Sequence, residues 1–493
     1  LIASFLIFLA MFTLIGLSSA FKSRGSRHDY YLADSSVAPW LVGLSAVATN
    51  NSGYMFIGVI GYTYVTGFAA FWLMFGWIAG DFLGSLLVHG RLRAATERTG
   101  EVSYAGVLAN WYGSSNDRLQ RVIGAISLLF LLAYAGAQLV AGSKALHVLF
   151  GWPESTGAIL GAILVTLYCF AGGIRASIWT DAAQSMVMIV AMAVLFYVAT
   201  DAMGGLTASL SSMRAIPGFT DWFPDDLLLP GFGGMVLFVL GWMFAGLSVI
   251  AQPHVMVRFM TLDSSGHMRR ARIWYYLWFT AFYSLATFVG LLSRIYLGDT
   301  ASFDAELALP AMSLELLPPA LVGLILAGVF AATMSTADSL VLSCSAAITH
   351  DLLPHRIERT IVIKGTTIVI TLSALGLALI NSQSVFSLVI MAWSALASAF
   401  APLLLALCLN WKPSQGLSLC AVATGLGTAL VWRWLGLEHY IYEGLPGIMA
   451  GLVVLSPAGL RCALESWKNE GALPPQAVPL SDSRQGLQGS GND

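Results

Sequence analysis

Ser335, Thr336 and Ser339 place three hydroxyls, with the carboxylate of Asp338, within about one helical turn of the run Ala332-Thr333-Met334-Ser335-Thr336-Ala337-Asp338-Ser339. A desolvated hard cation needs several oxygens at once, and such a turn supplies them. Ser335 and Ser339 are four apart and share a helix face, with Asp338 beside them. Serine and threonine hydroxyls also bond back to the preceding turn's carbonyls or join helices. That reading accounts for the serines but leaves the acid unexplained.

Two further polar runs interrupt apolar stretches. Ala48-Thr49-Asn50-Asn51-Ser52-Gly53 is a cluster of weak helix formers whose side chains compete for backbone hydrogen bonds. Gly246-Leu247-Ser248 leads into Gln252-Pro253-His254, where proline removes a backbone donor and bends a helix. Each is a candidate point of unwinding, where backbone carbonyls become available to ions. The alternative is that the small residues simply let helices approach closely.

The elements that position these residues are set by composition. With 57% hydrophobic residues, 10% charged and 49 glycines, the chain is far less charged than a water-soluble protein, where about 25% is usual. Crossing about 30 Å of hydrocarbon takes about 20 apolar residues in a helix, because only a helix or closed barrel satisfies its own backbone there. Thirteen stretches qualify: 1–20, 37–63, 68–89, 122–148, 156–173, 179–201, 230–256, 273–297, 319–350, 362–381, 384–409, 416–435 and 441–463. The fold class is therefore an all-α polytopic membrane protein. The polar breaks fall in the second and seventh spans and the hydroxyl cluster in the ninth. A separation of five spans between the breaks suits a five-plus-five inverted repeat.

Charge supports this division. With the N-terminus outside, 20 of the 24 Lys and Arg fall in inner loops, among them Lys22, Arg91, Arg175, Arg258, Arg269, Arg359 and Lys412. Lys144, Arg214, Arg294 and Arg433 lie at or near the outer side. Leu1–Ala20 with its small residues Ser18-Ser19-Ala20 also has the look of a signal peptide, but cleavage would export Lys22, Arg24 and Arg27 against the pattern. The expectation is a bacterial inner-membrane protein with the C-terminus in the cytoplasm. Residues 1–465 form one transmembrane domain, with repeats at about 37–201 and 230–409. Residues 466–493, polar and rich in Pro, Ser and Gly, form a disordered cytoplasmic tail.

Acids inside the membrane are functional suspects. Asp81, Asp181 and Asp338 qualify. Asp181 follows Trp179-Thr180, where a helix-start role is the plain alternative; Asp81 reaches water or a basic loop in its plain reading. No phosphate-binding loop, HExxH, GxSxG or CxxC sequence is present. An ATP-driven pump and a hydrolase are disfavoured, and a gradient-driven transporter remains. The five cysteines are odd in number and lie in or beside apolar segments, so no disulfide framework is implied. No basic stripe suits a nucleic acid, and no obligate protein partner is evident.

Gly172-Gly173 leading to Trp179-Thr180-Asp181 and Gln184, then Gln252-Pro253-His254 with Arg258-Phe259-Met260, and Met334-Ser335-Thr336, together resemble the sodium:solute symporter family, nearest its bacterial proline permease branch. The likeness runs from the first span to the thirteenth. It implies the leucine-transporter-type fold with one helix before the ten-helix core and two after it. It also implies sodium-coupled import of a small organic solute by alternating access, with sodium as coupling ion and no organic cofactor. The implied sodium ligands are backbone oxygens of Ala48, Asn51 and Ala332 with the hydroxyls of Ser335 and Thr336. A second cation, sodium or a proton, would involve Asp181, Asp338 and Ser339. The solute would lie against Asn50, Ser52, Gly53, Trp72, Tyr134, Trp242, Ala245 and Val249. Proline permeases carry aspartate, tryptophan and tyrosine at the positions of Asn50, Ala245 and Val249, so the resemblance weakens at the solute. The expected solute is an amino acid such as proline. Alternatives are a sodium- or proton-coupled monocarboxylate or pantothenate-type symporter, and a transporter-like sensor.

Overall fold

The computed structural model describes residues 1–470 apart from 23, 114, 299–302, 354–356 and 381–383. The expected tail from 471 onward lies outside the described residues. Among the described residues, thirteen membrane-length helical segments follow one another. They are α1 (Ile2–Ser18), α2 (Pro39–Tyr54, a π turn at Met55–Val59, then Ile60–Thr66), α3 (Ala70–Thr99), α4 (Asp117–Phe150), α5 (Glu154–Gly172) and α6 (Ile174–Ala202). Then come α7 (Phe232–Leu247, a 3-10 turn at Ser248–Ala251, then Pro253–Met260), α8 (Met268–Leu297) and α9 (Pro319–Ala346, with a π turn at Ala347–Leu352). The last four are α10 (Thr360–Ile380), α11 (Val385–Cys408), α12 (Gln415–Trp434) and α13 (Gly444–Glu470).

Counted as unbroken apolar stretches there are twelve among the described residues, because α2 and α3 run on as one stretch of 61 residues. At 1.5 Å per residue that would be about 90 Å of straight helix, three times the hydrocarbon thickness. Gly67, at φ 69° and ψ −135°, breaks it into two crossings. A Cβ there would sit 2.1 Å from the Phe219 carbonyl oxygen, so the turn needs glycine for space as well as for φ.

Several ends extend beyond the apolar runs that announced them. α3 continues past residue 89 to Thr99, where Gly100 at φ 66° caps it. Hydropathy marks where hydrocarbon ends, whereas a helix ends where its cap is. α9 and α11 are the most enclosed helices, and α1, α10, α12 and α13 the least. Exposed Leu14, Val369 and Val453 are thus lipid-facing positions. At one end of the bundle the entry to α2 is tied to the exit from α7. The Val37 amide donates to the Thr261 carbonyl (3.1 Å) and the Asp263 amide to the Val37 carbonyl (3.1 Å), while Arg93 Nε donates to the Leu262 carbonyl (2.6 Å). At the other end Lys144 pairs with Glu306 (2.6 Å), which also accepts from Ser384 on the approach to α11 (2.7 Å).

α3 and α7 pack backbone to backbone. A Cβ on Gly80 would lie 1.8 Å from the Met243 carbonyl oxygen, and one on Gly246 2.0 Å from that of Trp77. Neither backbone oxygen is free to move aside. Gly246→Leu is expected to cost about 3 kcal/mol through overpacking, seen as loss of monodisperse, folded protein in detergent. Gly233→Ala, with nothing within 4 Å of the added atom, should retain it.

Candidate functional site

The polar run in α2 is a true break. Ser52 sits at φ 45°, ψ −178°, a conformation that costs a non-glycine residue energy and persists only where the surroundings enforce it. The surroundings do so from several sides. Gly53 N–H donates to Gln138 Oε1 of α4 (2.9 Å), Ser52 Oγ accepts from Tyr54 N–H (3.1 Å), and Asn51 Nδ2 donates to the Val47 carbonyl (2.7 Å). A Cβ on Gly53 would lie 2.5 Å from Thr333 Cγ2, so the glycine also permits α9 to approach. Unwinding and close packing, posed as alternatives from the sequence, occur together.

α7 breaks as well. After its 3-10 turn, Gln252 is extended (φ −93°, ψ 104°) and Pro253 opens a new short helix. The Gln252 side-chain amide bridges the gap, donating to the carbonyls of Ser248 (3.1 Å) and Trp393 (3.0 Å).

α9 presents its hydroxyl turn to the α2 break. Ser335 Oγ lies 3.2 Å from the Ala48 carbonyl oxygen and 3.2 Å from that of Ala332, and Thr336 Oγ1 donates to the Thr49 carbonyl (2.9 Å). Of the five expected sodium ligands, Ala48, Ala332, Ser335 and Thr336 thus meet at one place. The Asn51 carbonyl instead accepts from the Met55 amide as the helix restarts. The Thr49 carbonyl, which the sequence reading did not single out, stands in the group.

One turn deeper, the structure corrects two sequence expectations. Arg258 is not a loop charge: it is completely buried, with Nη2 3.3 Å from Asp181 Oδ2 and 3.8 Å from Asp338 Oδ1. Its motif lies in the short helix Pro253–Met260 after the α7 break, of which every residue but Val257 is buried. The guanidinium also donates to Ser177 Oγ (2.5 Å) and to Ser339 Oγ. Ser177 in turn donates to Asp338 Oδ1 (2.8 Å), and Ser45 of α2 to Asp181 Oδ2 (2.6 Å). Asp181 is therefore a side chain of the interior with partners on α2 and α7. Asp81, read from the sequence as reaching water or a basic loop, is also fully buried; it accepts from the Tyr275 hydroxyl (2.8 Å).

Two carboxylates face one guanidinium in the deeper cluster, so one negative charge is in excess if both acids are ionised, and Asp181 Oδ1 and Asp338 Oδ2 have no protein partner among the described residues. Buried unpaired charge is costly, which favours one more monovalent cation. Thr49 and Ser339 connect this cluster to the first. Thr49 offers its carbonyl to Thr336 and its hydroxyl to Asp181 (3.4 Å), and Ser339 donates to the Ser335 carbonyl (2.5 Å).

The expected solute residues divide into two groups. Asn50, Ser52, Gly53, Tyr134, Ala245 and Val249 are all buried around the two breaks. Tyr134 stands edge-on to His254 (5.4 Å) and Trp393 (6.3 Å), and the Trp393 indole N–H donates to the Ala245 carbonyl (3.2 Å). Trp393 and Trp77, 5.7 Å apart, thus put aromatic rings beside the small residues Ala245 and Gly246. Neither was legible as such, because a tryptophan in an apolar run gives no sign of the face it occupies. Asn50 Oδ1, Tyr134 OH, Gln138 Nε2, Gln252 Oε1 and both His254 nitrogens lack a protein partner among the described residues, a density of orphaned polar atoms that marks a place for hydrogen-bonding ligands or water.

Trp72 and Trp242 are not at the breaks. Along α3, Gly84 is the residue that meets Ile250 beside the α7 break; Trp72 lies twelve residues, about 18 Å, further along. There it stacks on Phe223 at 5.4 Å. Trp242 precedes the 3-10 turn of the break by six residues, about 9 Å of helix, and lines a cavity of about 250 Å³ with Tyr62, Phe386, Arg433 and Glu443.

A broken α2 and a broken α7 around an oxygen cluster on α9 define a cation-coupled transporter core, and the sequence profile of the sodium:solute symporter family matches residues 30–416. The chain belongs to the sodium:solute symporter family. Across 480 residues it is 29% identical to the sodium/proline symporter of Escherichia coli strain K12, covering 93% of each chain. It is 28% identical over 447 residues to the high-affinity proline transporter PutP of Bacillus subtilis strain 168, covering 88% of this chain and 92% of that one. Among solved structures, a substrate-bound, outward-open Na+-coupled sialic acid symporter superposes with TM-score 0.75 at 19% identity, covering 93% of this chain and 97% of that one. MhsT in complex with L-phenylalanine superposes with TM-score 0.55 at 15% identity, covering 87% and 99%. These two establish the leucine-transporter-type fold. As a sodium:solute symporter the chain couples sodium to the movement of a small solute across a membrane.

Proposed function

We propose that this symporter imports an amino acid, proline first among them, across a bacterial inner membrane, with its N-terminus outside and its C-terminus in the cytoplasm. The observation that carries the reading is the convergence of Ser335 and Thr336 on the carbonyls of Ala48, Thr49 and Ala332 at the α2 break. Sodium bound there, with Asn51 completing the shell as the outward state forms, holds the break open for solute. The solute lies against Asn50, Ser52, Gly53, Tyr134, Ala245 and Val249, with Trp242 on its path of entry. A second monovalent cation neutralises the excess charge of Asp181 and Asp338 beside Ser339. The halves at about 37–201 and 230–409 rock against each other to alternate access. Proline is favoured by the relatives' names, which specify proline transport over nearly the full length.

Uptake of a labelled amino-acid panel into proteoliposomes, with and without an inward sodium gradient, tests this directly. Gradient-dependent accumulation of proline is expected. Accumulation of a monocarboxylate or of pantothenate in its place would replace the amino-acid reading, which the uncharged Asn50 and the small Ala245 and Val249 make the alternative to compare. Solute binding with no flux would indicate a sensor.

A further inference from the structure

Asp81 takes no part in either cation cluster. It lies in the middle of α3, wholly buried, and no cationic side chain pairs with it among the described residues. Its hydrogen bond with Tyr275 leads towards the solute. Tyr275 OH on α8 donates to Asp81 Oδ2 (2.8 Å), and the same phenol oxygen accepts from Asn50 Nδ2 (2.6 Å) in the α2 break. The three side chains form a line from the interior of α3 to the solute region. At each end stands an oxygen with no hydrogen-bond partner among the described residues, Asp81 Oδ1, with the Tyr276 hydroxyl nearby, and Asn50 Oδ1.

The groups around Asp81 leave it free to titrate. α8 turns Tyr275 and Tyr276 towards it, and Arg272, one turn away, donates instead to the Ser85 carbonyl (3.4 Å). On α3 itself the nearest titratable group is His89, two turns on and stacked on Phe259 at 3.7 Å. The stretch of α7 against Gly80 and Gly84 contributes Met243, Leu247 and Ile250, none of which titrates. α2 contributes the neutral Asn50.

We propose that Asp81 is a proton-binding site whose occupancy decides whether Asn50 offers the solute a carbonyl oxygen or an amide N–H. The inference rests on the reading of Asn50 as a solute-facing residue. Ionised, Asp81 is an acceptor only, so Tyr275 donates to it and accepts from Asn50 Nδ2, leaving Asn50 Oδ1 as the free end. That end suits a solute ammonium or other donor. When a proton binds Asp81, the carboxylic acid donates its O–H to the phenol oxygen, and the phenol proton turns towards Asn50. Asn50 can receive it only through Oδ1, so its amide rotates and the free end becomes N–H. That end suits a carboxylate. No covalent bond changes apart from the O–H formed on Asp81; the remaining steps are rotations of a hydroxyl and an amide.

Two measurements test this separately from the choice of solute. In the infrared spectrum of the solute-free protein, a protonated-carboxyl band should appear and disappear between about pH 5 and about pH 9, and be absent in Asp81→Asn. An unchanged spectrum in that variant overturns the proposal whatever the protein transports. The KM for L-proline in proteoliposomes should change by about tenfold over the same range and become independent of pH in both Asp81→Asn and Tyr275→Phe. Tyr275→Phe keeps the acid and removes only the link, so it serves should Asp81→Asn fold poorly. A KM that keeps its pH dependence in Tyr275→Phe overturns the relay. A titrating Asp81 band with no proline uptake would sink the proline assignment and leave the proton site standing.

Discussion

Arg258→Met should lose about 3–5 kcal/mol of stability, the largest effect expected of any single side chain in the protein. The reason is the geometry of its burial: one guanidinium whose Nη2 faces Asp181, Asp338, Ser177 and Ser339 together, whose Nη1 donates to the His254 carbonyl, and which has no exposure to solvent. Removing one partner of a buried ion pair leaves the other charges uncompensated, which costs far more than the pair contributes net. Here two carboxylates are left together. The check is thermal unfolding in detergent, where the variant should melt well below wild type. Added sodium should recover part of the loss in Arg258→Met, since a cation that binds only the folded state stabilises it by mass action. Asp338→Asn should be far milder, because Arg258 keeps Asp181 as its partner. Equal melting of Arg258→Met and wild type would mean that the arginine does not hold this place.

Ser335→Ala and Thr336→Ala should each weaken activation by sodium by about 5- to 150-fold, the equivalent of about 1–3 kcal/mol for a buried oxygen lost from a satisfied site. Solute preference should change little, since both hydroxyls are engaged with the backbone carbonyls of Ala48, Thr49 and Ala332 and neither bonds the Asn50 side chain. Binding linkage makes the effect reciprocal: where solute raises sodium affinity, sodium raises solute affinity by the same factor. Each variant should therefore show a raised KM for solute at low sodium that returns towards the wild-type value at high sodium. The measurement is initial uptake against sodium concentration at fixed solute, and unchanged half-activation in both variants would remove these hydroxyls from the sodium shell. Because Ser339 donates to the Ser335 carbonyl and Thr49 joins Thr336 to Asp181, the two clusters share backbone. Asp181→Asn should then lower the sodium-to-solute ratio if the deeper cluster carries a transported sodium, and leave it unaltered if the charge there is a proton.

The membrane class, the thirteen crossings and the two broken helices are legible in the sequence because they depend on local properties. Apolar length decides whether a segment crosses, and Asn50-Asn51-Ser52-Gly53 and Gln252-Pro253 weaken a helix wherever it packs. The α9 oxygen turn is legible there too, since Ser335, Thr336 and Ser339 are close in sequence and an i, i+4 spacing fixes a shared face. How partners on different helices meet depends on the packing of segments far apart in the chain. Arg258 reads as one more positive charge at a span's end, but the short helix after the α7 break is buried and sets its guanidinium beside Asp181 of α6 and Asp338 of α9. Asp81 and Asn50 are 31 positions apart with nothing in the intervening residues to link them; Tyr275, from a third helix, makes the connection. Trp72 and Trp242 carry the right chemistry for a solute wall, but the rise of the helix sets them about 18 Å and about 9 Å along α3 and α7 from the α7 break, while Trp77 and Trp393 pack beside it. Residue type and local spacing fix which side chains are able to do chemistry; the packing of distant segments fixes which of them face the same point.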